Sequence, residues 1–130
     1  MCGVTGSPSR AQKANGRTRV TRAVIIKSEV MGVDPPELGA KLVGSYLRKL
    51  CRADPKPSSL VFYGTGVKLL AGGSIVLDAL EILRDAGVDL VACGTCVGFF
   101  DLKGKLKMGR VSNMEEIISL LTKSDHVVTL

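Results

Sequence analysis

The chain has 130 residues, 45% hydrophobic and 23% charged, which fits one ordinary domain and excludes both a pair of well-formed cores and a wholly disordered protein. Aromatic residues are 4% with no Trp, and the longest apolar run between charges is the eleven residues Leu90 to Phe100; stacking platforms for single-stranded nucleic acid and a membrane span of about 20 residues are both excluded. The net charge of +6 belongs to residues 1–27, where Arg10, Lys13, Arg17, Arg19, Arg22 and Lys27 stand without an acid, while residues 28–130 balance 12 Lys/Arg against 12 Asp/Glu, a neutral body with no footprint for a phosphate backbone.

Residues 1–19, rich in Gly, Ser, Lys and Arg, read as a flexible basic leader that lacks the apolar core of a secretory signal. Residues 20–130 read as a single α/β domain. Its first strand is the β-branched run Ala23-Val24-Ile25-Ile26. Asp34-Pro35-Pro36-Glu37 then opens a helix, with Asp34 as N-cap, Pro35 at the first helical position and Glu37 closing a capping box. Leu38, Leu42, Tyr46, Leu47 and Leu50 form its expected apolar face, and Asp54-Pro55-Lys56-Pro57 ends it.

Leu60-Val61-Phe62-Tyr63 is the second strand and runs into Gly64-Thr65-Gly66. Ser74 is the expected cap of the next helix, which buries Val76, Leu80 and Leu83 and closes at Gly87. Val88 to Ala92 is a third strand, leading directly to Cys93-Gly94-Thr95-Cys96. A short helix over Val97–Leu102 and a weak strand near Lys107–Val111 follow. Ser112-Asn113-Met114-Glu115 reads as a second capping box, opening a helix with Ile117, Ile118 and Leu121 inward, and Val127 to Leu130 is the last strand. Strands alternating with helices make βαβ units with right-handed crossovers. The expected fold is a three-layer α/β/α sandwich on a five-stranded, mostly parallel sheet.

Ligands of such sheets sit beyond the carboxyl ends of the strands. That edge gathers Ser28 to Asp34, Gly64-Thr65-Gly66, Cys93 to Cys96 and Arg110 to Asn113, and only the cysteine pair carries an obvious reactive group. A cysteine at a helix start meets free N–H groups and the positive end of the dipole, which favour the thiolate. By dipole alone Cys96 is the better nucleophile and Cys93 the resolving or second carrier thiol; the reverse order stays open, because the first cysteine of many such pairs is the more exposed. Gly94 and Thr95 between them, with Gly64, Thr65 and Gly66, offer backbone N–H groups for a sulfur anion. The glycine loop is neither a P-loop nor a dinucleotide fingerprint. Tetrahedral zinc wants four ligands, and Cys2, Cys51 and His126 form no second pair, so no metal and no cofactor is expected. Hydrolase chemistry has no triad or acidic pair to rest on.

The run Cys93-Gly94-Thr95-Cys96 through Leu102, Leu106 and Gly109 to Ser112-Asn113-Met114-Glu115-Glu116-Ile117 resembles the C-terminal domain of YedF-type selenium-metabolism proteins, within the DsrE/DsrF-like superfamily of sulfur-relay proteins. Met31-Gly32, Glu37-Leu38-Gly39, Phe62-Tyr63 and Gly66-Val67-Lys68-Leu69 extend the likeness over about residues 22–130. The resemblance implies a DsrE-like fold, homo-oligomers and cytoplasmic sulfur or selenium handling, in a sulfurtransferase-like carrier with a persulfide on Cys93 or Cys96. YedF-type chains carry a preceding SirA/TusA-like domain with a Cys-Pro motif and an Asn before the second-strand glycine loop; this sequence has no Cys-Pro dipeptide and has Gly64 at that place. The donor thiol is therefore expected on another protein, such as a SirA/TusA-like one, with no membrane or nucleic-acid partner. Two other classes compete: a non-catalytic oligomeric module binding a small anion or a partner in a relay complex, and a thiol–disulfide oxidoreductase cycling a Cys93–Cys96 disulfide.

Overall fold

The computed structural model describes residues 21–130 except residue 33, together with the backbone of Lys13–Ala14 and Arg17–Thr18, which pair as a short antiparallel ladder. Apart from those four residues, the expected basic leader, with Cys2, lies outside the described residues.

The main sheet has five strands: β1 (Arg22–Ile26), β2 (Ser59–Phe62), β3 (Asp89–Cys93), β4 (Arg110–Ser112) and β5 (His126–Thr129). Their order is β4-β3-β2-β1-β5, and every pairing is parallel. The helices are α1 (Pro36–Leu50), α2 (Leu77–Asp85), α3 (Gly94–Phe99) and α4 (Met114–Lys123), and a 3-10 segment spans Gly64–Leu70. The three central strands read as unbroken apolar runs because both of their faces are covered. Val24, Ile26, Leu60, Phe62, Leu90 and Ala92 turn to one face and meet Val43 and Leu47 of α1 and Leu80 and Leu83 of α2. Ile25, Val61, Val91 and Cys93 turn to the other and meet Ile117 of α4. The strand period of two thus sends Ala92 into the larger core and Cys93, its neighbour, into the smaller one.

Several local expectations are corrected. Helix α1 begins one residue later than expected: Pro35 is its N-cap, without a side-chain cap bond, and Asp34 lies outside. Its inward face is Gly39, Val43, Gly44 and Leu47, while Leu38 and Leu42 are 50% and 43% exposed. The reason is close approach: a Cβ at Gly39 would lie 2.5 Å from the Met31 carbonyl oxygen, so the helix turns its smallest residues inward and leaves two leucines outside. Ser74 does not cap α2, whose N-cap is Val76; the Ser74 hydroxyl accepts the Val76 N–H at 3.3 Å instead. Helix α4 is capped by Asn113 rather than Ser112, its side-chain oxygen taking the Glu116 N–H at 2.8 Å. With the cap displaced by one residue Ile117 alone is buried on α4, and Ile118 is 57% exposed. Finally, α3 starts at Gly94 instead of Val97, and β4 covers Arg110–Ser112 instead of Lys107–Val111, because the left-handed turn at Gly109 (φ +81°) precedes it.

The short edge strand β4 is held by charge. The Arg110 guanidinium donates to Asp89 through Nε at 3.0 Å and Nη2 at 2.9 Å, and to Glu116 through Nη1 at 3.0 Å. Arg110 first, then the Ser112 hydroxyl, hold the Glu116 carboxyl down at about 2, from an ordinary 4.5. A carboxylate so depressed contributes stability above its ordinary value and loses that contribution as pH falls toward the folded one. The Tm of the wild type is therefore expected to fall more steeply than that of Glu116→Gln between pH 4.5 and about 2; parallel curves would show that the clamp contributes nothing.

Candidate functional site

The carboxyl edge of the sheet brings the cysteine loop and the glycine loop into contact. Strand β3 ends on Cys93, which is the N-cap of α3 (φ −70°, ψ 122°), so Cys96 falls in the first turn. Cys93 is 1% exposed and Cys96 half-buried, and the two are free thiols. No side-chain cap bond closes at Cys93. Burial pushes its thiol up, but the N–H and thiol of Cys96 and the N–H and hydroxyl of Thr95 all favour the anion, and the net shift is downward. Cys96 goes the other way. Burial raises it, the Gly64 N–H on its sulfur at 3.0 Å lowers it, and the neighbouring Cys93 raises it again, leaving a net upward shift. Two thiolates this close repel, so one proton stays on the pair. Cys93 is thus the easier of the two thiols to ionise and Cys96 the harder. Cys93 occupies the N-cap, where the first N–H groups of the helix converge, and the two directions favour the second of the two orders that the sequence leaves open.

Gly64 reaches Cys96 because its backbone is left-handed, with φ +59°, and because it has no side chain: a Cβ would lie 2.5 Å from the Lys27 carbonyl oxygen. Thr65 ties the same loop to the end of β1. Its hydroxyl donates to the Ser28 hydroxyl at 3.3 Å and accepts the Glu29 N–H at 3.2 Å, and Ser28 in turn accepts the Val30 N–H at 3.1 Å. Gly66 is buried at the start of the second loop. Gly94 is packed so closely under β4 that a Cβ would lie 2.8 Å from the Ser112 carbonyl oxygen.

Of the seven expected site residues, Cys93, Gly94, Thr95 and Cys96 lie on β3–α3 and are joined by Gly64 of the 3-10 segment through its bond to Cys96; Thr65 and Gly66 of that segment face the end of β1 instead. Ser28 stands there as the partner of Thr65. Its only sequence signal is a hydroxyl residue two places beyond a buried strand. His126 pairs with Arg22 at the start of β1, at the opposite edge of the sheet. Cys51 is satisfied elsewhere, its thiol donating to the carbonyls of Leu47 and Ala79 at 3.4 Å each. No group of three or more His, Cys, Asp or Glu with metal-binding geometry occurs among the described residues, and none of the helices described is long and apolar enough to cross a membrane. Chemically, the cysteine loop with Gly64 can hold a sulfur anion on main-chain donors and present a second thiol to it.

Comparison with known proteins agrees with this architecture. A model of the DsrE/DsrF-like family matches residues 34–130. Among solved structures, the ychN protein of E. coli superposes with a TM-score of 0.62 at 16% identity, covering 85% of this chain and 100% of its own. The protein of unknown function MTH1491 from Methanobacterium thermoautotrophicum gives 0.59 at 21% identity over 85% and 99% of the two chains. BT1422 from Bacteroides thetaiotaomicron, likewise of unknown function, gives 0.58 at 15% identity over 84% and 94%. No curated protein matches the chain.

Proposed function

Because the chain belongs to the DsrE/DsrF-like family, which is associated with sulfur relay, we propose that it is a cytoplasmic sulfurtransferase-like carrier that holds a persulfide on Cys93. The observation that carries this reading is the opposite displacement of the two thiols: Cys93 down and Cys96 up, on a shared set of main-chain donors.

The Cys93 thiolate attacks the outer, sulfane sulfur of a donor persulfide. A Cys93–sulfur bond forms, the donor's sulfur–sulfur bond breaks, and the donor cysteine leaves as its thiolate. No net oxidation or reduction occurs. An acceptor thiolate then takes the sulfane sulfur by the same displacement and returns Cys93 as a thiolate. Alternatively Cys96, as thiolate, attacks the Cys93 sulfur, forming a Cys93–Cys96 disulfide and releasing hydrosulfide; the sulfane sulfur is then reduced and the two cysteines oxidised. The Gly64 N–H stabilises charge on Cys96 in that step.

The likeness to YedF-type domains supports selenium as a second cargo, since a selenane atom follows the same displacement. A separate donor protein, SirA/TusA-like, and an acceptor are part of the proposal. Homo-oligomers are proposed too, supported by the exposed apolar side chains of Phe99, Val111, Met114 and Ile118 on α3, β4 and α4.

Incubation of the reduced protein with a persulfide donor, followed by intact mass, is expected to show one added sulfur that dithiothreitol removes. The burial of Cys93 favours one competing reading, a non-catalytic module whose loop shapes an anion or partner pocket. Thiols that react with iodoacetamide yet take up no sulfur would select that module and end the carrier reading.

A further inference from the structure

The charge of the folded body is segregated. Lys41, Arg48, Lys49 and Arg52 line a groove of about 510 Å³ along the outer face of α1, closed on its far side by Ile75. No acidic side chain lines it. Among the described residues none of the four cations is in an ion pair, whereas Arg84, Lys105 and Arg110 all are. Arg48 is fixed in place, its Nη2 donating to the Ile75 carbonyl oxygen at 3.1 Å. Of the groove's lining Ile75 is 69% exposed, and on α1, outside the lining, Leu38 and Leu42 are 50% and 43% exposed. The groove adjoins a second cavity of about 590 Å³ that shares Ala40 and Ile75 with it and reaches Glu29 beside the glycine loop.

We propose that this face docks an acidic, amphipathic segment of a partner protein. Lys41 to Lys49 spans about 12 Å along the helix, a row of charge suited to an extended anion rather than to one phosphate group. The row is interleaved with large aliphatic side chains, the apolar centre and charged rim of a protein interface. A phosphate backbone would gain nothing from Leu38, Leu42 and Ile75, and the one aromatic of α1, Tyr46, packs inward against the core. A second copy of the chain is a poorer fit, because on α2 Glu81 and Asp85 are already paired with Arg84. The inference is independent of what Cys93 and Cys96 carry, so it stands or falls apart from the sulfur reading.

The test uses the full chain and a fluorescein-labelled peptide of about 16 residues, with Leu at helical spacing along one face and Glu on both flanks. Its sequence-permuted isomer and a single-stranded RNA of similar length are the controls. Saturable binding is expected by fluorescence anisotropy, weakening with salt and falling about tenfold or more in Lys49→Glu/Arg52→Glu. Both positions are exposed, so the variant should keep the wild-type circular dichroism and Tm. Ile75→Ser should weaken the peptide while leaving the permuted isomer unchanged. The proposal is overturned by absent binding at low salt, by equal affinity for the permuted isomer, or by tighter binding of the RNA. It is equally overturned if sedimentation shows wild-type chains associating through this face and Lys49→Glu/Arg52→Glu separating them.

Discussion

Replacing Cys93 by Ser is expected to abolish sulfur loading outright, while replacing Cys96 by Ser leaves it. The asymmetry follows from which thiol of the pair ionises more readily. Cys93 is drawn below the ordinary thiol value by the N–H and thiol of Cys96 and by Thr95, against the opposing pull of burial. Cys96 is raised, first by burial and then by its neighbour, despite the Gly64 N–H. A serine hydroxyl at 93 carries no thiolate at neutral pH and has no reactivity toward sulfane sulfur. A serine at 96 still donates to the Cys93 sulfur, so the anion persists and the added sulfur should accumulate, because the route that ends in a disulfide is closed. Intact mass after treatment with a persulfide donor reads both variants directly. Loading of Cys93→Ser at the wild-type level, with Cys96→Ser empty, would move the carrier to Cys96 and leave Cys93 as the resolving thiol.

The largest structural effect is expected at Gly66. A Cβ there would lie 2.1 Å from the Ile26 carbonyl oxygen and 3.3 Å from the Ser28 nitrogen, both backbone atoms that no rotamer change can move. Relief requires separating the ends of β1 and β2 where Ile26 pairs with Phe62, and both of those side chains are fully buried in the main core. Gly66→Ala should therefore cost about 3 kcal/mol or more and lower Tm by roughly 10–20 °C. The control is Gly98→Ala in α3, where a Cβ meets nothing within 4 Å and helix propensity favours alanine. Equal thermal denaturation curves for the two variants would mean that the close approach at Gly66 carries no weight.

The sheet was legible in the sequence because its central strands are buried on both faces and so appear as continuous runs of Val, Ile and Leu, bounded by turns. The cysteine pair was legible for a similar reason: it abuts such a run, and the carboxyl end of a parallel strand is where ligands gather. What escaped are the features fixed by distance in space. The apolar face of α1 is legible at Tyr46, Leu47 and Leu50, which meet the core, but not at its first two turns, where packing turns Gly39 inward and leaves Leu38 and Leu42 outside. The helix after Cys93 starts at Gly94, a poor helix former that no propensity would place there, and that shift is what puts Cys93 rather than Cys96 at the N-cap. The bond from Gly64 to Cys96 joins residues 32 apart and depends on β2 lying beside β3, which the order of elements in the chain does not state. The Thr65–Ser28 bond likewise depends on β1 lying beside β2.

The last strand has a consequence for how the chain reaches its fold. β5 is hydrogen-bonded to β1, and its approach is tied down by Asp125, whose carboxylate accepts the N–H and hydroxyl of Thr21, 104 residues away. Among the described residues, the edge of β1 away from β2 has no partner strand until His126–Thr129 docks on it. Throughout that interval the nascent chain carries an open strand edge of Arg22, Ala23, Val24 and Ile25, the residues that β5 finally occupies. Such an edge is a template for pairing with a neighbouring chain on the same polysome, and closure over so long a loop is slow. A chaperone that shields this edge of β1 until His126–Thr129 docks should raise the yield of folded chains without touching the stability of the finished protein.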